Sequence, residues 1–173
     1  MAYGLLKGKK GIIFGALNDQ SIAWKAAERA AEEGAELVLT NTPVSIRLGT
    51  IDQLAEKCGA KVIPADATSI EDLEQLVDAA MEQFGGKFDF VLHSIGMSPN
   101  IRKNKPYEET NYDFFNKTLD ISAMSFHKLL GVLYKRDALN EWGSVVALTY
   151  IAAQRTFQGY NDMADAKALL ESI

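Results

Sequence analysis

"KGIIFGALNDQSIAWKAAERAAEEGAELVLT", residues 10–40, reads as strand, glycine turn, helix and strand. "KGIIFG" (10–15) is a short apolar run closed by glycine. "SIAWKAAERAAEEGA" (21–35) has helical periodicity, with Ser21 placed to cap its start and Gly34 to end it. "ELVLT" (36–40) is a second apolar run. Neither run alternates apolar with polar residues, so each predicts a strand buried on both faces. That is the signature of a parallel sheet whose crossovers are helices.

Working outward, the same unit recurs. Residues 50–59 predict a helix closed by Gly59, and 61–66 a third strand. Residues 69–86 predict a helix with a serine cap, an acidic first turn and two terminal glycines. Residues 88–96 give a fourth strand, 97–113 an irregular span, and 114–138 a long helix. Residues 143–150 give a fifth strand, and another helix begins near Tyr160. The fold class is therefore α/β, a Rossmann-like doubly wound parallel sheet of about five strands, and residues 1–173 are expected to form one dinucleotide-binding domain. Such domains carry six strands. With five counted and a helix still running at Ile173, the last strands are expected to be missing and the domain C-terminally incomplete.

Composition narrows the function classes. Hydrophobic residues make up 47% and charged residues 24% of the chain, values of a globular protein rather than a disordered one. The net charge of −5 gives no overall footprint for nucleic acid or an anionic membrane. No apolar run is long enough to span a bilayer, and the N-terminus meets a glycine turn where a secretory signal needs an apolar core. The lone cysteine, Cys58, reads as a small thiol in a reducing compartment, and the expected location is cytoplasmic. His93 and His127 lie far apart without ligand-spaced partners, so no metal site is expected.

The turn "FGALNDQSIAWK" offers Gly15, free N–H groups and the positive end of a helix, which together suit a phosphate. It lacks the full G-x-G-x-x-G pattern, and single-glycine turns are common in α/β folds. The second strand ends "LTNTP", without the acid that grips a ribose hydroxyl. Arg47 suits a 2′-phosphate or simply a solvated loop. "PAD" (64–66) and "HSIG" (93–96) fall at the carboxyl edge of the sheet, where ligands of open α/β folds bind. Asp66 suits an adenine amino group or a turn. Gly96 lets a ring or ribose pass close to the backbone. His93, inside an apolar strand, reads as a satisfied core histidine.

"GYNDMADAKALLESI" (159–173) places Tyr160 and Lys167 seven residues apart. That is nearly two helical turns, so both share one face, roughly 10 Å apart along the axis. A phenol with a free pKa near 10 is a better donor beside a cation. A lysine leaning back toward the helix start suits a cofactor ribose held beside the tyrosine hydroxyl. Tyrosine and lysine share a helix face in many proteins, so the pair alone does not decide.

Taken with "GALNDQSIAW", "DA" (66–67), "HSIG" (93–96), "LDIS" (119–122) and "LTY" (148–150), the chain resembles the N-terminal part of bacterial enoyl-acyl-carrier-protein reductases of the NADH type. These are a branch of the short-chain dehydrogenase/reductase superfamily. Most of that superfamily separates tyrosine from lysine by three residues. Here position 164 is alanine and six residues intervene, with a further tyrosine ten residues earlier.

The resemblance implies reduction of the double bond of a trans-2-enoyl thioester borne by acyl carrier protein, in fatty-acid elongation, with NADH as cofactor and NADPH possible. It implies that Tyr160 hydrogen-bonds the thioester oxygen, Lys167 holds the nicotinamide ribose and Tyr150 lines the site. Gly15, Ser21 and Ile22 would meet the phosphates, Asp66 and Ala67 the adenine, and Thr42 the adenosine end. Ser94, Ile95 and Gly96 would flank the ribose and nicotinamide, and Ser98 would touch the substrate. It also implies a homo-oligomer, a tetramer in full-length relatives, whose further strands and mobile helices are expected to be absent here. The alternatives are a related ketoreductase, against which Ala164 argues, and a non-catalytic nucleotide-binding or interaction module.

Overall fold

The computed structural model describes residues 2–173. Five parallel strands stand in the order β3-β2-β1-β4-β5: β1 Lys10–Phe14, β2 Glu36–Thr40, β3 Lys61–Val62, β4 Phe88–His93 and β5 Leu139–Ala147. The chain winds from β1 to β3 on one side and from β4 to β5 on the other. The direction reverses between β1 and β4, which opens a crevice at their carboxyl ends.

The helices are α1 Ile22–Glu32, α2 Pro43–Leu48, α3 Ile51–Cys58, α4 Ile70–Phe84, α5 Pro99–Arg102, α6 Tyr112–Leu119, α7 Ser125–Lys135 and α8 Asn161–Ser172. Successive residues of β1 feed opposite faces, as the pleat requires. Ile12 and Phe14 pack with Leu73, Leu76 and Val77 of α4 and Leu129 and Val132 of α7. Ile13 packs with Ala23, Trp24 and Ala27 of α1 and Leu54 of α3. This two-sided burial is why the strands read as continuous apolar runs. A smaller cluster, Ala123, Phe126 and Leu170, packs with Val145 and Ala147 of β5.

The structure departs from the sequence reading in several places. The third strand pairs only over Lys61–Val62, although Ile63 and Ala65 still donate to Leu39 and Asn41 carbonyls at 3.0 Å each. Pro64 between them has no N–H to continue the ladder. The helix expected over 114–138 is two helices joined by a π-helical turn, Asp120–Met124, and it ends at Lys135. β5 starts earlier than expected because a bulge opposite Phe88–Phe90 carries it through Trp142, whose φ is 64°. Helix α2 was not expected, although Thr42 before Pro43 is a cap followed by a first-turn proline. Ser21 stands at the start of α1 but makes no capping bond to it.

Candidate functional site

The reversal of strand order leaves a cleft of about 340 Å³ whose walls include Gly15, Thr42, Asp66, Ala67, Ser94, Ile95 and Gly96. Seven of the residues assigned to cofactor binding from sequence thus converge, drawn from the ends of β1, β2 and β4 and from the segment after β3. Gly15 adopts φ +90°, and a Cβ there would lie far inside carbon–oxygen contact distance of the Ser94 carbonyl oxygen. Only glycine lets the exits of β1 and β4 lie this close. Gly96 differs. A Cβ there would meet Lys167 Nζ at 3.6 Å and Met163 Cε at 3.8 Å, ordinary contacts, so its bareness leaves room at the cleft rim.

Ser21 is spent on the turn itself: its Oγ accepts the N–H groups of Leu17 at 3.1 Å and Asn18 at 3.2 Å. Ile22 opens α1 with its side chain exposed, and its N–H is among the first-turn donors that have no intrahelical acceptor. Thr42 caps α2 by accepting the Ser45 N–H at 3.2 Å, and its hydroxyl reaches Ser45 Oγ at 2.9 Å. Asp66 uses Oδ1 to accept from the N–H and hydroxyl of Thr68 at 2.9 and 2.8 Å. It is therefore a turn residue whose position on the cleft wall also presents a carboxylate. Ala67 is buried.

Lys167 is 6% exposed and donates from Nζ to the Leu148 carbonyl at 2.7 Å. Burial pushes its pKa below the usual lysine range. An ammonium has three donors, so two remain beyond this bond. Tyr160 immediately precedes α8. Its ring packs on Tyr150 with centroids 5.0 Å apart, and Tyr150 packs in turn on Phe157 at 5.6 Å. Burial, and then Tyr150, raise the Tyr160 pKa above that of a free phenol. Among the described residues no cation offsets these two effects, and the Lys167 ammonium donates to the Leu148 carbonyl. Neither tyrosine lines the cleft wall, which meets Lys167 only past Gly96.

Ser98 is 3% exposed. Its Oγ accepts the Ile101 N–H at 3.1 Å, capping α5, and donates to Asp162 Oδ1 at 2.7 Å. Its hydroxyl is committed inward, so a contact with a ligand would use its backbone. His93 is fully buried, with Nε2 2.9 Å from Ser125 Oγ and Nδ1 without a partner, so it is only half satisfied. Burial, then the Lys167 charge, lower its pKa to about 4, leaving a neutral imidazole at neutral pH.

Sequence reading missed Asn41, Ser45 and Arg102, which share the cleft wall. Asn41 holds the second strand's exit by donating to the Ala16 carbonyl at 3.0 Å. Its place directly after "VLT" at a strand end was the available signal. The buried set Asn100, Thr118 and Asp162 was also missed. Among the described residues no group of histidine, cysteine and acids suits a metal, and no helix is long and apolar enough to cross a membrane.

The profile of the family described as "Enoyl-(Acyl carrier protein) reductase" matches residues 15–173. The enoyl-[acyl-carrier-protein] reductase [NADH] 1 of Rhizobium meliloti (strain 1021) is 38% identical over 173 residues, covering 99% of this chain and 62% of the relative. The FabI crystal structure from Alistipes finegoldii is 74% identical with a TM-score of 0.96, over 99% of this chain and 66% of that one. The FabI–NADH complex from the same organism superposes with a TM-score of 0.97, over 98% and 60%. The chain thus spans about three fifths to two thirds of the length of these relatives.

Proposed function

The chain belongs to the enoyl-(acyl carrier protein) reductase family, and on that premise we propose that it serves NADH-dependent reduction of a trans-2-enoyl thioester carried by acyl carrier protein. The observation that carries this reading is the buried Lys167 ammonium, with two N–H groups unspent, behind a bare Gly96 at the cleft rim. That arrangement fits a ribose diol, and the cleft beyond it fits a dinucleotide along Ser94, Gly15, Asp66 and Thr42. The α1 N-terminus beside Gly15, with Ser21 and Ile22, suits the pyrophosphate.

The chemistry supplied by a bound NADH is hydride donation to the β-carbon of the double bond. Lys167 orients the ribose. Tyr160 donates its phenolic hydrogen bond to the thioester oxygen, where negative charge gathers as the double bond is reduced. A proton held by a raised pKa stays on the tyrosine at neutral pH, which suits a donor. Tyr150 packs the ring of Tyr160 in place. Ala164 offers no ammonium at the ketoreductase spacing. The same reading makes the protein a cytoplasmic homo-oligomer with one nucleotide-binding domain.

The test is NADH oxidation followed by absorbance, with a short trans-2-enoyl thioester and, in parallel, a 3-ketoacyl thioester. Oxidation with the enoyl substrate alone supports the reading, and oxidation with the keto substrate alone refutes it. Silence with both, alongside retained NADH binding, favours a binding module.

A further inference from the structure

Asp162 stands two residues beyond Tyr160, in the first turn of α8, and is 1% exposed. Its carboxylate meets neutral partners. Ser98 Oγ donates to Oδ1 at 2.7 Å, Asn100 Nδ2 donates to Oδ2 at 2.9 Å, and Thr118 Oγ1 lies 2.7 Å from Oδ2. The single Thr118 hydrogen is shared in time with the Phe114 carbonyl, 2.9 Å away. All three partners are buried. A carboxylate taken out of water without a cation is costly and persists where directional donors surround it.

Two of the partners, Ser98 and Asn100, hold the backbone that follows β4, and Thr118 ties in α6. Ser98 caps α5. The Asn100 carboxamide brackets the backbone of Asn111, accepting its N–H and donating to its carbonyl at 3.1 Å each, and Asn111 caps α6. One residue before Asp162, Asn161 adopts φ 38° and donates from Nδ2 to the Lys105 carbonyl at 3.0 Å. Residues 98–111 are thus fastened to the start of α8 at several points. An apolar side chain at 162 would fill the space, yet it would not fix the rotation of α8, because packing lacks the direction that two bonded oxygens impose.

We infer that Asp162 is a positioning residue for Tyr160: its carboxylate sets where the tyrosine stands relative to the segment 98–111 that follows the cleft-lining residues 95–97. The inference rests on the reduction proposed above. In Asp162→Asn the new NH₂ faces either Asn100 Nδ2, a donor only, or Ser98 Oγ, whose hydroxyl must then turn from donating to accepting. For this variant we expect kcat on the enoyl thioester to fall on the order of 10- to 100-fold, while NADH affinity by fluorescence changes less than about twofold. Hydrogen exchange should rise in residues 98–111 and remain slow in β1 and α4. Thr118→Val, a milder change, should lower kcat about threefold with the same exchange pattern. Wild-type kcat and exchange in a folded Asp162→Asn overturn the inference, as does a loss of NADH affinity equal to the loss of kcat. If Asp162→Asn does not fold, unchanged kcat and exchange in Thr118→Val overturn it. A wild-type protein silent toward enoyl thioesters defeats the proposed reduction instead, and the exchange data then decide whether Asp162 holds the segment.

Discussion

Lys167 Nζ and the Leu148 carbonyl lie 2.7 Å apart, joining the middle of α8 to the chain just beyond β5. This bond points the ammonium at Gly96, so the sheet edge and the last helix together fix the cation at the rim of the cleft. Lys167→Met keeps the length of the side chain and removes the donors. NADH affinity should fall by at least about tenfold, the equivalent of one lost charged hydrogen bond. Thermal stability should not fall, because a desolvated cation is removed with it. Fluorescence titration and a melting curve check both halves.

The two tyrosines should separate cleanly. Tyr160→Phe removes the hydrogen bond to the thioester oxygen and should lower kcat on the order of 100-fold, with NADH binding intact. Tyr150→Phe retains the ring that packs on Tyr160 and should lower kcat by less than about tenfold. Equal losses of turnover and NADH affinity in Tyr160→Phe would count against the role assigned to it.

Gly15 and Gly96 line one cleft and predict opposite outcomes for alanine. In Gly15→Ala the methyl collides with the Ser94 backbone at a φ of +90°, so stability should drop by about 3 kcal/mol. In Gly96→Ala the methyl meets only the flexible ends of Lys167 and Met163. Stability should stay within about 0.5 kcal/mol, while NADH binding weakens because the methyl occupies the rim. Denaturant melts and NADH titrations of the pair test this contrast.

His93 gives the fold an acid sensitivity of definite sign. Its folded pKa of about 4 lies below the ordinary histidine value of 6.5, so the unfolded chain takes up the proton first as pH falls. The stability it contributes is complete above about pH 6.5 and is lost progressively toward pH 4. Between pH 7.5 and 5 the loss from this group should be about 2 kcal/mol. His93→Gln, whose amide can still hydrogen-bond Ser125 in either direction, should flatten that part of the profile in urea melts at the two pH values.

The first strand shows why so much of the fold was legible. Ile12, Ile13 and Phe14 are all buried, a local pattern that only a sheet covered on both faces accommodates. Glycines and caps near each helix end marked most boundaries, as Gly59, Ser69 and Gly85 do. The π-helical turn at Asp120–Met124 left no such mark, since its residues read as ordinary helix and their departure from it depends on neighbours. The bulge through Trp142 was hidden for a similar reason: a positive φ at a tryptophan is imposed by pairing, not by propensity.

The sequence by itself determined the alternation of strand and helix, the parallel sheet and the identity of the residues at its carboxyl edge. Each of these follows from spacings of a few residues along one chain. Only the tertiary structure decided that Ser98 turns inward to Asp162 across 64 positions, that Lys167 rests on Leu148, and that Tyr150 packs at a tilt against Tyr160. Such contacts satisfy polar groups stranded when separate elements close over them. Which donor meets which acceptor is therefore settled by how the elements pack, and local spacing does not carry that information.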